Sequence, residues 1–171
     1  MNILVLGLDH WIQRHQDNDA ERNQARRGFE RSIQQLIAER GVELVAEEAG
    51  DDNEVAQGLQ REENAWAPFE NREPRRIEPV ETIARTVTRV RDGCLHTDIR
   101  PRGNWPDPRV PEYEQAMLDA IQDTIGNADS VLILCGEFHW RNIADALLQN
   151  GWNVESHGFD WIVQQQQAQD R

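Results

Sequence analysis

The chain has 171 residues, 38% of them hydrophobic and 29% charged, and a formal net charge of −13. That length suits one domain around one core, and the charge disfavours nucleic acid and anionic membranes, whose phosphates it would repel. All 18 basic residues are arginine, which excludes a Schiff base, a phosphate-loop lysine and a lysine general base.

Ile3-Leu4-Val5-Leu6 is an apolar run of strand type ending at Gly7. Asp17, Asn18 and Asp19 are N-cap candidates for a helix in which Phe29, Ile33, Leu36 and Ile37 recur at helical spacing, with Gly41 as its C-cap. Val42 to Ala46 predicts a second strand, followed by Glu47-Glu48-Ala49-Gly50. A weak helix is expected from Asp51, carrying Val55 and Leu59. Residues 62–78 are poor in aliphatics and hold Trp66, Pro68, Phe69 and Pro74, which reads as a long loop, either a functional lid or an insertion pinned by its aromatics.

Pro79 suits the first turn of a helix with the stripe Val80, Ile83, Ala84, Val87 and Val90, ended by Gly93. Cys94 to Ile99 predicts a third strand, and the four prolines of residues 101–111 argue against regular structure there. A helix from about Glu112 to Thr124 would bury Tyr113, Met117, Ala120 and Ile121. Val131 to Cys135 is a continuous apolar run, the pattern of a strand buried on both faces. A helix through Ile143, Ala144, Leu147 and Leu148 should end at Gly151, with Trp152-Asn153-Val154 as a last strand.

Strands alternating with helices predict a single α/β domain over residues 1–163, with a mostly parallel central sheet and helices on both faces, and a polar tail at 164–171. Cys94 and Cys135 form no disulfide framework, and Cys135, inside an apolar run, reads as an inert core residue. With no leader or spanning stretch read from the sequence, a cytoplasmic protein is expected.

Two segments repeat one pattern. Leu4-Val5-Leu6-Gly7-Leu8-Asp9-His10-Trp11 matches Ile133-Leu134-Cys135-Gly136-Glu137-Phe138-His139-Trp140: an apolar strand, a glycine, two residues, then histidine and tryptophan. A glycine turn would present each histidine beyond the carboxyl end of its strand, the edge where open α/β sheets bind ligands. Glu47 and Glu48 should reach the same edge. Imidazoles and carboxylates gathered there can hold a divalent ion through His10, Glu47 and His139, with Glu48 as general base. His96, Asp98 and Arg100 end another strand; Asp98 is a candidate ligand or orienting carboxylate and Arg100 a candidate clamp for an anionic group, against the plainer reading of an Asp–Arg pair at a loop entrance. Trp11 and Trp140 read as packing residues more readily than as ligand platforms. No dinucleotide fingerprint, phosphate loop, Gly-x-Ser-x-Gly elbow or Cys-x-x-Cys is present.

This ordered set (Gly7 and His10, Glu47 and Glu48, Gly136 and His139) resembles the superfamily that joins TraB/PrgY proteins, Tiki proteases, erythromycin esterases and ChaN haem-binding lipoproteins. The resemblance implies an α/β fold with the motifs converging on one cleft, and an active site built from His10, the glutamates and His139. The expectation is a metal-dependent hydrolase using Mn²⁺, Co²⁺, Fe²⁺ or Zn²⁺ on a small-molecule or peptide substrate, with no nucleic-acid or membrane partner and a homodimer left open. The alternatives are a metal-free acid–base enzyme, a non-catalytic module for haem or another small molecule, and an interaction protein with an acidic face.

Overall fold

A computed structural model describes residues 1–9, 12, 20–48, 88–91, 94–99, 111–126, 128–161 and 163–164. The helix expected from Asp51, the loop at 62–78, the N-cap candidates Asp17 to Asp19 and the residues His10, Trp11 and Arg100 lie outside them, as does the polar tail beyond Gln164.

Six strands form one sheet in the order β3-β4-β2-β5-β1-β6. They are β1 (Asn2–Leu8), β2 (Leu44–Glu48), β3 (Thr88–Arg91), β4 (Cys94–Ile99), β5 (Ser130–Gly136) and β6 (Asn153–His157). Five of them, from β4 through β6, run parallel, and β3 is an antiparallel edge. The α/β architecture with a mostly parallel sheet is thus the one the sequence predicts.

The central strands are apolar on both sides because both sides are covered. Ile3, Val5, Leu44, Ala46, Val131, Ile133 and Cys135 join one buried cluster, together with Tyr113, Met117 and Ile121 of α2 (Pro111–Ile125) and Ile143 and Leu147 of α3 (Trp140–Gln149). The alternate residues Leu4, Leu6, Leu8, Val45, Leu132 and Leu134 join a second cluster with Phe29, Ile33 and Leu36 of α1 (Ala20–Arg40). Each large side chain buried this way stabilises the fold by about 1.5–3 kcal/mol.

Helix ends follow the glycines. Gly41 (φ 57°) ends α1 and Gly151 (φ 86°) follows α3, both in the left-handed region that glycine enters without steric cost.

Three expectations are corrected. The helix predicted to run to Gly93 gives way at Thr88–Arg91 to β3, paired with β4; its earlier part lies outside the described residues. The dipeptide Asp92-Gly93 between the two strands is a strong short-range hairpin signal, and it outweighs the helical spacing of Val87 and Val90. Pro111 belongs to α2 and not to the irregular stretch, since a first-turn proline forfeits no helical hydrogen bond. Ala120, expected to be buried on α2 with Tyr113, Met117 and Ile121, is only partly buried, whereas the other three are buried.

Candidate functional site

Parallel strands bring their carboxyl ends to one rim. β2 ends there with Glu47-Glu48, β5 with Gly136, and the turn Glu137-Phe138-His139 leads from β5 into α3. β4 brings His96 and Asp98 to register positions beside Val45 and Glu47. The side chains of His96 and Asp98 fall outside the described set.

Glu48 is buried, and both of its oxygens are engaged. The Tyr113 hydroxyl donates to Oε1 at 2.6 Å, and the Gly136 backbone N–H donates to Oε2 at 2.7 Å. The carboxylate therefore ties β2, the end of β5 and the first turn of α2 together. A buried carboxylate is tolerated where such donors replace its water.

His139 is 2% exposed and stands at the start of α3, where its side chain makes no capping bond. Its backbone N–H donates to the Gly136 carbonyl at 2.9 Å, and its ring packs against Tyr113 with 5.3 Å between centroids. Nδ1 lies 3.2 Å from Oε1 of Glu114. Glu114 is itself gripped by Asn142, whose Nδ2 donates to both carboxylate oxygens at 2.9 Å. An imidazole held at Nδ1 by a fixed carboxylate presents Nε2 in a defined direction, and Nε2 has no hydrogen-bond partner among the described residues.

The two glutamates part company. Glu48 lies on the face of α2 and α3, with Tyr113 and Cys135. Glu47, in register with Leu134, lies on the α1 face with Val45. Glu47 is buried and has interactions of its own there. The sequence reading set both carboxylates in one cleft; strand alternation separates them, so Glu48 shares the side of His139 and Glu47 does not.

The glycine of the first repeat also does other work than expected. Gly7 lies inside β1, and among the described residues the positive-φ glycines are Gly41, Gly126 and Gly151. A Cβ at Gly7 would stand 2.0 Å from Cδ1 of Trp140, so the missing side chain is the space the indole occupies. The tryptophan of the second repeat thus packs on the glycine of the first. Its Nε1 donates to Glu137 at 3.2 Å, its ring also reaches Gly158, and Arg141 stacks on it with its guanidinium carbon 5.0 Å from the ring centroid. Trp140 is a packing residue.

Cys135 is fully buried, and burial, with the Glu48 and Glu137 charges adding to it, pushes its thiol well above the ordinary value. Its burial in the core is as expected, and a thiol held protonated is a poor nucleophile. Thr97, in register with Ala46, has a buried Oγ1 that lacks a hydrogen-bond partner, the one such side-chain atom among the described residues.

As a metal ligand, His139 has its Nδ1 engaged by a carboxylate and its Nε2 without a hydrogen-bond partner among the described residues. Glu47 does not fit beside it, and Glu48 has both oxygens committed. Among the described residues no group of three or more His, Cys, Asp or Glu side chains is placed to hold an ion. Glu114, Asn142 and Tyr113 escaped the sequence reading. Glu114 and Asn142 sit on helix faces where polar residues are ordinary, and Tyr113 matched the apolar stripe of α2.

The fold and this rim define an α/β domain whose parallel sheet carries a carboxylate-oriented histidine at its carboxyl edge. No protein-family model, curated protein or solved structure matches the chain. No helix among the described residues is long and apolar enough to cross a membrane.

Proposed function

We propose that this chain is a hydrolase acting on a small-molecule or peptide substrate, with Nε2 of His139 as its working atom. One observation carries the reading: a buried histidine at the carboxyl edge of a parallel sheet is held at Nδ1 by Glu114, which Asn142 fixes in turn, while Nε2 has no hydrogen-bond partner among the described residues. A histidine that served only as a helix cap would spend its ring on the backbone, and this one does not.

In the reaction the Nε2 lone pair accepts a proton from water as the water oxygen attacks an acyl or phosphoryl centre. Glu114 stabilises the imidazolium, which then returns the proton to the leaving group. Glu48 holds the Gly136 N–H and the Tyr113 hydroxyl, and so positions the turn carrying His139; this replaces the general-base role expected of it from sequence.

The resemblance to the TraB/Tiki and erythromycin-esterase superfamily adds a divalent ion, with His139 and His10 as the matching imidazoles. Held by those imidazoles, such an ion would supply Lewis acidity toward a water or substrate oxygen. The haem-binding alternative has less to draw on, because Trp140 is taken up between Gly7 and Gly158 and does not flank an open face.

The test is a screen of ester, peptide and phosphoester substrates with and without Mn²⁺ or Zn²⁺, repeated on His139→Gln and Glu114→Gln. Hydrolysis should fall at least about 100-fold in His139→Gln, and about 10- to 100-fold in Glu114→Gln. Loss of activity on chelation assigns the ion a role; retention assigns the chemistry to the Glu114–His139 pair alone. Hydrolysis and metal uptake both unchanged in His139→Gln would refute the proposal.

A further inference from the structure

Asn150 is the one asparagine of the chain that is followed by glycine. It stands exposed at the C-cap of α3, with φ −81° and ψ 5°, and its side chain has no hydrogen-bond partner among the described residues. Gly151 follows in the left-handed region at φ 86°. An asparagine side chain carries an electrophile, its Cγ carbonyl, within one ring closure of the next residue's backbone nitrogen. Where that residue is glycine, no Cβ hinders the approach, and the thermally labile side chain is at its most reactive.

Around this pair the chain closes α3 with a Schellman cap. Asn150 N–H donates to the Ala146 carbonyl at 3.1 Å, Gly151 N–H to that of Leu148 at 3.0 Å and Trp152 N–H to that of Leu147 at 3.2 Å. Trp152 packs on the cluster that buries Leu147, the apolar contact that accompanies such a cap. The cap restrains the chemistry twice. The Gly151 nitrogen has its N–H committed to Leu148, which holds the proton in place. At ψ 5° the same nitrogen eclipses the Asn150 backbone nitrogen about the Cα–C bond, whereas a five-membered ring through Cγ requires it to eclipse Cβ. The folded cap therefore keeps the reacting atoms apart, and only its opening lets ψ turn.

We propose that Asn150 is a site of spontaneous deamidation gated by the α3 cap. When the cap opens, the deprotonated Gly151 nitrogen attacks Asn150 Cγ. The Cγ–Nδ2 bond breaks, and ammonia leaves with the proton that Gly151 gave up. Water then adds to either carbonyl of the succinimide so formed, and cleavage of its ring C–N bond leaves aspartate or isoaspartate. Either product puts a carboxylate at the C-terminal end of α3, where the negative end of the helix dipole opposes it. Isoaspartate also adds a methylene to the backbone between α3 and β6 and puts the cap's hydrogen bonds out of step. The modification thus weakens the far end of the helix whose first turn follows His139. It does not depend on the hydrolase reading of that histidine.

Peptide mass spectrometry of the full chain, incubated in mildly alkaline buffer with and without urea, tests the site and its gate. In urea the mass gain of amide-to-acid conversion should appear at Asn150 ahead of every other asparagine. In the native chain it should be at least about tenfold slower. Trp152→Ala removes the cap's apolar contact and keeps the Asn–Gly pair. Where circular dichroism shows this variant folded, its native rate should rise about three- to tenfold while its urea rate matches the parent's. Another asparagine leading in urea would overturn the site. Equal native and urea rates in the parent chain, or a folded Trp152→Ala that keeps the parent's native rate, would overturn the gate. Asn150→Asp, which carries the product's charge, should unfold at a lower urea concentration than the parent, and an unchanged midpoint would overturn the effect on α3.

Discussion

The molecule holds two histidine–glutamate pairs made of the same parts in different surroundings. In His139–Glu114 the side chains are 3% and 19% exposed; in His157–Glu155 they are 27% and 43% exposed. The first is packed beside Tyr113 and Glu48, whose loss would strand a buried polar group, and only its outer partner Asn142 is exposed. The second is washed by solvent, and Arg40, which donates to Glu155, and Trp161, which stacks on His157, only bias it. The bond from His157 and then those from Arg40 hold the Glu155 carboxyl below its ordinary value. Burial therefore makes one pair a fixed constellation and leaves the other a solvent-screened contact that acid opens through Glu155.

Substitutions can break that comparison. The largest effect is expected from Glu48→Ala, which strands the buried Tyr113 hydroxyl and the Gly136 N–H together. Chemical denaturation should show a loss of about 2–5 kcal/mol, and a loss under about 1 kcal/mol would mean that the network at the rim is not as closed as described. Gly7→Ala comes next. Its new methyl falls where the Trp140 indole lies, and overpacking of this kind costs about 1–3 kcal/mol. Combining it with Trp140→Leu should recover part of that loss in the same assay, and an additive double variant would dissociate the two residues. The smallest effect belongs to Arg40→Ala in the exposed pair, about 0–1 kcal/mol and shrinking with added salt. Its contribution through Glu155 is present above the ordinary carboxylate range and lost as pH falls through the lowered Glu155 value, so thermal melts of this variant and the parent should converge in acid.

The rim shows where sequence reasoning reached and where it stopped. That Glu47, Glu48 and the Gly136–His139 segment would come to one edge follows from parallel strands ending in them, and that much was legible. The division of the two glutamates between opposite faces was also written in the period of a strand, but their adjacency in sequence suggested a shared role. Gly7 was read as a turn residue because glycine after a strand usually is one; its use as a seat for Trp140 depends on a contact 133 residues away and leaves no local mark.

The sequence by itself determined the helices of the described chain, every strand but β3 and the α/β class, because periodicity and glycine placement are local and each element must bury its apolar side. Tertiary structure alone decided that Glu114 and Asn142 would hold His139, that Tyr113 would spend its hydroxyl on Glu48, and that Phe159 would hang from Glu137 by its backbone N–H. Those pairings join residues distant in the chain, and the Tyr113–Glu48 bond in particular satisfies polar groups buried by the fold in three dimensions, a requirement that no spacing in one dimension expresses.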